Sequence, residues 1–108
     1  MKITISNKKL FEALSNAISD NAIGYWGYTK ASSEDVFNLI KRGKSIDVFD
    51  IDDDEKLATM TKESIENGVE VFVNEYTDSF ANIMDETEDV LDTDILFQLC
   101  CFGELVYG

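Results

Sequence analysis

The sequence predicts one small α+β domain in which three or four helices pack against a mostly antiparallel sheet of about four strands. Two observations lead there. Apolar residues alternate with polar ones in some segments and recur at helical spacing in others, so strands and helices are both expected. Several connections are too short for right-handed parallel crossovers, which favours antiparallel pairing with helices on one face. The 108 residues contain no Gly-, Ser- or Pro-rich linker, so residues 1–108 are expected to form a single domain. Folding a chain this long buries roughly two-thirds of its unfolded surface, which is enough for a core without metal or disulfide.

In order along the chain, residues 2–6 alternate Ile3 and Ile5 with polar neighbours, the period of a half-buried strand. Ser6 or Asn7 then caps a helix over about 8–19, with Leu10, Phe11, Leu14, Ala17 and Ile18 on one face. Gly24 and Gly27 interrupt Ile23, Tyr25, Trp26 and Tyr28, which favours a strand over 22–29 with a bulge or close backbone approach. Ser32 or Ser33 begins a short helix through Val36, Phe37, Leu39 and Ile40, stopped by Gly43. A strand follows over 45–51, its apolar residues changing face partway, and 57–60 is a candidate antiparallel partner after an acidic turn.

Thr61 caps a helix to about Tyr76 with Ile65, Val69, Phe72, Val73 and Tyr76 on one stripe, weakened modestly by Gly68. Residues 79–84 are ambiguous. Asp92 is the expected cap of a last helix over 93–102, almost wholly apolar apart from Asp94 and Gln98 and ending at Gly103. Such a helix is a buried one, and 105–107 would add a final strand.

Composition constrains function more than any motif does. The net charge is −13, yet 44% of residues are hydrophobic, so the acidity belongs to a folded body rather than a disordered tail. The charge is also uneven. Residues 1–46 carry seven Lys or Arg against four Asp or Glu, whereas residues 47–108 carry two against eighteen, a net −16. That field repels nucleic acid and anionic membranes, so neither is an expected direct partner. The first six residues lack the head of a signal peptide and no run approaches a membrane span, so a cytoplasmic setting is expected.

No His is present, which removes the usual general base and every Ser-His or Cys-His nucleophile; no enzyme activity, catalytic residue or cofactor is expected. Cys100 and Cys101 are adjacent, cannot close a useful loop, and fall in the most apolar helix, where burial makes thiols inert. Asp50, Asp52 and Asp54 follow the opening spacing of a calcium loop. Glu55 then occupies the place of the required Gly and Thr61 that of the bidentate Glu, so a solvated acidic turn is preferred to a metal site. A carboxylate-based divalent-metal protein is the least favoured reading.

Two acidic clusters remain, over 47–55 and 85–94. Duplex DNA displays about one negative charge per 1.7 Å of axis, a density that clustered carboxylates can imitate. The candidate partner-binding residues are therefore Asp50, Asp52, Asp53, Asp54, Glu55, Asp85, Glu86, Glu88 and Asp89, with Tyr25 or Trp26 as an aromatic anchor. A merely solubilising surface explains the carboxylates as well, and an ordinary core strand explains the aromatics. Asp94 has a further role available at the positive end of the last helix.

The stretch Ile23-Gly24-Tyr25-Trp26 and the ending from Asp92-Thr93-Asp94 through Gln98-Leu99 to Phe102-Gly103-Glu104-Leu105-Val106-Tyr107-Gly108 resemble small acidic proteins of bacteriophages, prophages and mobile elements. The likeness covers under a quarter of the chain and carries no activity with it. It implies a phage setting in a bacterial host, where small acidic proteins often block defence nucleases. Two function classes follow: an inhibitor that offers a DNA-like acidic surface to a basic host protein, or an assembly protein acting as a homodimer through its aromatic strand and apolar ending.

Overall fold

The computed structural model describes residues 9, 12–14, 26–29 and 42–107. Within them Gly27–Tyr28 (β1), Ile46–Asp50 (β2) and Lys56–Met60 (β3) form an antiparallel sheet in the order β1-β2-β3. Ile46 pairs with Met60 and Val48 with Ala58; Ile46, Val48 and Met60 point inward, while Asp47 faces solvent and accepts a hydrogen bond from Thr59 Oγ1 across the strands. The ladder slips between Val48 and Phe49, which is how the apolar residues change face.

Three helices follow: Lys62–Glu75 (α1), Thr77–Met84 (α2) and Val90–Phe102 (α3). At the start of α1, the Thr61 hydroxyl accepts from the Ser64 N–H at 3.1 Å, and Ser64 Oγ accepts from the Thr61 N–H at 2.8 Å. This reciprocal cap satisfies two backbone donors that would otherwise lack partners. Ile65, Val69 and Phe72 then bury the α1 stripe. The ambiguous stretch 79–84 is helical within α2, whose Phe80 meets Phe72 edge-on at 6.3 Å.

The deepest contact is α1 against α3. A Cβ on Gly68 would lie 2.5 Å from the Leu99 carbonyl oxygen and 2.6 Å from the backbone of Cys100, so only glycine lets the two helices meet this closely. Leu96, Phe97, Leu99 and Cys100 are buried along α3 as its near-continuous apolar sequence requires, and Gly103 closes the helix in the left-handed region at φ +76°. The result is the expected α+β arrangement, with helices packed on a small antiparallel sheet.

Lys9 and residues 12–14 are helical, and Leu14 is buried as its helical face demands. Lys9 Nζ also donates to the Met84 carbonyl at the end of α2. Arg42 is helical and Gly43 has φ +70°, the stop expected there. The strand over 2–6, Tyr25, and most of the helices over 8–19 and 32–43 lie outside the described residues.

Two expectations need correction. Residues 105–107 form no strand: the N–H groups of Val106 and Tyr107 donate to Gln98 Oε1, each at 2.9 Å, so one side chain supplies the acceptor a neighbouring strand would have offered. The last helix begins at Val90 rather than Thr93 and is capped by Asp89 rather than Asp92. Asp92 is the third residue of its first turn and returns the cap: its Oδ2 accepts from the Asp89 N–H while Asp89 Oδ1 accepts from the Asp92 N–H, both at 3.1 Å.

Candidate functional site

The first acidic cluster is the turn of the β2–β3 hairpin, and its carboxylates build the turn. Asp50 Oδ1 accepts from the N–H groups of Asp52 at 2.7 Å and Asp53 at 3.3 Å, while Asp53 Oδ1 accepts from the Glu55 N–H at 3.0 Å. Short carboxylates do this readily because they can imitate a backbone turn. Asp54 takes φ +60°, and Asp tolerates that left-handed conformation better than most residues. Tyr28 on β1 donates its hydroxyl to Asp54 Oδ1 at 2.6 Å. That hydrogen bond raises the tyrosine's pKa, aided by desolvation and by the nearby negative charge. Asp52, Asp53, Asp54 and Glu55 are exposed and Asp50 is half-buried. Among the described residues no three carboxylates or thiols gather closely enough to hold a metal ion.

The second cluster divides. Asp85, Glu86 and Asp89 are exposed on the α2–α3 connection, whereas Glu88 is half-buried with its Oε2 enclosed. Asp92 and Asp94 are buried. Asp92 Oδ1 accepts from Ser79 Oγ at 2.7 Å and its Oδ2 from Asn82 Nδ2 at 3.2 Å, fastening α2 to α3. Asp94, 8% exposed, accepts from Trp26 Nε1 at 2.7 Å and from Gln98 Nε2 at 2.8 Å. Because α3 begins at Val90, Asp94 lies beyond its first turn and the helix-end role read for it is corrected: its carboxylate instead anchors a buried hydrogen-bond network.

Trp26 is where the two acidic segments meet. Its carbonyl accepts from the Ile51 N–H at 3.0 Å, at the edge of the acidic hairpin, and its indole donates to Asp94, five residues beyond Asp89. Trp26 is 4% exposed, its ring stacked on Tyr107 at 5.0 Å and tilted against Phe97 and Phe102. Trp26 is therefore an interior residue. Of the sequence-predicted residues, the hairpin carboxylates come together in one turn, Asp85, Glu86 and Asp89 in one connection, and Tyr25 is not described.

A cavity of about 480 Å³ lies beside the indole. Val90, Leu91, Ile95 and Leu105 supply apolar walls, Tyr107 an aromatic one, and Asp94 a carboxylate. Gln98 holds one side of it in place, because its four hydrogen bonds reach Asp94, Val106 and both the N–H and carbonyl of Tyr107. One signal was legible: Asp94 and Gln98, a turn apart, are polar interruptions of the apolar stretch that runs to Phe102, and buried polar groups in such a helix need partners.

Cys100 is fully buried and Cys101 half-buried. Burial drives both thiols far above the ordinary range, for Cys101 with the help of Cys100 and Asp94, so neither supplies a thiolate near neutral pH. Among the described residues no helix is long and apolar enough to cross a membrane. No protein-family model, curated protein or solved structure matches the chain.

Proposed function

We propose that this is a non-enzymatic, phage-type accessory protein of the host cytoplasm that binds and inhibits a basic host protein, a defence nuclease being the favoured class of target. The observation that carries the reading is the joining of the two acidic segments at Trp26, which fixes the carboxylates of the hairpin and of the α2–α3 connection to one scaffold. Rigidly held carboxylates compete for a groove built for phosphates and steer association electrostatically. The net −16 of residues 47–108 supports the same reading, as does the likeness to acidic phage proteins.

Partner capture from a bacterial lysate with mass-spectrometric identification tests it. A basic, nucleic-acid-handling protein should be recovered, with binding that weakens steeply between low and moderate salt. Replacing Asp52, Glu55, Asp85, Glu86 and Asp89 by their amides should reduce recovery and flatten that salt dependence. Recovery of neutral or acidic partners alone, or binding indifferent to the amides, refutes the proposal.

A second reading, a homodimeric assembly protein, is favoured by four exposed apolar side chains near the end of the chain, Val90, Leu91, Leu105 and Val106. Light scattering separates the two: a tight dimer that captures no other protein supports assembly.

A further inference from the structure

We infer that the cavity beside Trp26 is a receptor for a single arginine side chain presented by the basic partner. The inference deepens the inhibitor reading and rests on it for the source of the arginine. Asp94 is more than nine-tenths buried, and the donors it meets among the described residues, Trp26 Nε1 and Gln98 Nε2, are both neutral. A carboxylate out of water whose donors are neutral attracts a cation brought beside it, and the low-dielectric surroundings strengthen that attraction.

The rest of the cavity selects which cation. Val90, Leu91, Ile95 and Leu105 offer an apolar path that suits a three-carbon stem, and Tyr107 offers a ring. A guanidinium is planar and more weakly hydrated than an ammonium, and it stacks on aromatic rings while donating to a carboxylate, so arginine fits better than lysine. A cavity of about 480 Å³ falls within the range of small-ligand sites and exceeds the needs of one side chain. Val90 belongs both to the cavity wall and to the residues following the exposed cap Asp89, so the acidic connection borders the approach.

The sole tryptophan of the chain lines this cavity, so its fluorescence reports occupancy directly. The full-length protein is titrated with a capped Ala-Arg-Ala peptide, with the same peptide carrying citrulline, which is nearly isosteric and neutral, and with butylguanidinium. The arginine peptide should saturate the signal and bind roughly tenfold or more tightly than the citrulline peptide, as charge-assisted recognition requires. Asp94→Asn should erase that preference. Because Asp94→Asn also disturbs the Trp26 and Gln98 hydrogen bonds, Leu91→Lys serves as an independent variant: Leu91 is 65% exposed, so the fold tolerates the change, and its ammonium at the rim should weaken arginine binding roughly tenfold. Equal binding of the citrulline peptide, or unchanged binding to Leu91→Lys, overturns the inference. Saturation by butylguanidinium but not by the peptide overturns the partner protein as the source. Salt-sensitive capture of a basic partner with no arginine preference at the cavity removes this inference and leaves the acidic-surface reading standing. The converse pattern removes the acidic-surface reading and with it the partner as the arginine's source.

Discussion

Trp26 contributes through three distinct chemistries: an apolar ring, an N–H donor and a backbone carbonyl. The ring fills the space among Phe97, Phe102 and Tyr107, the indole N–H partly satisfies the buried Asp94, and the carbonyl takes the Ile51 N–H beyond β2. Losing the donor alone is informative, because a buried acceptor left without its partner costs more than the bond itself was worth. Trp26→Phe keeps most of the apolar ring and removes the N–H, so it should destabilise the fold by about 1–3 kcal/mol, measured as a lowered urea midpoint at unchanged slope. A midpoint equal to that of the parent protein would show that Asp94 finds compensation without the indole. Gln98 works on the same principle: both its amide oxygen and its amide nitrogen are used, which is why residues 105–107 need no neighbouring strand.

At the scale of elements, the crossing of α1 and α3 decides how the helical layer is built. Helix propensity treats Gly68 as a defect worth up to about 1 kcal/mol, and on an isolated helix Gly68→Ala would stabilise. In the fold the new methyl meets backbone atoms of Leu99 and Cys100 at 2.5–2.6 Å, and backbone within a packed helix cannot step aside as a side-chain tip can. Gly68→Ala should therefore lower stability by about 1–3 kcal/mol, the cost of overpacking a tight core, and a thermal melt gives the sign directly. A raised melting temperature would mean that the helices separate readily. The capping boxes at Thr61 and Asp89 set where α1 and α3 begin, and through Asp92 the second also fastens α2 to the final helix.

For the whole molecule, charge and core pull in opposite directions. Eighteen carboxylates against two cations over residues 47–108 repel one another in the compact state, while the buried apolar residues of the sheet and helices hold it together. Salt screens the first and leaves the second in place. The melting temperature should accordingly rise between about 0.02 and 0.3 M sodium chloride, by roughly 4 °C for each ~1 kcal/mol of repulsion relieved in a domain of this size. A flat or falling midpoint would show that favourable pairs, rather than repulsion, dominate the electrostatics of the native state.

Local pattern was sufficient wherever one segment's own residues settled the matter. The period of Ile46 to Ile51 and its change of face, the cap at Thr61, the stripe through Ile65, Val69 and Phe72, the stop at Gly103 and the mostly apolar last helix are all legible because turn chemistry and side-chain period are properties of adjacent residues. The start of α3 was displaced because Asp89 and Asp92 both suit a cap, and only the reciprocal bond between them assigns the roles. Which carboxylates stay in water was undecidable from composition, since Asp92 and Asp94 are chemically identical to Asp85 and Asp89. What buries them is the donors brought by Ser79, Asn82, Trp26 and Gln98. The sequence by itself determined the β2–β3 hairpin, α1, the sign of the charge and the apolar stripes. Tertiary structure alone decided the Gly68 contact, the meeting of two acidic segments at Trp26 and the cavity next to it, because each depends on distances between residues far apart along the chain.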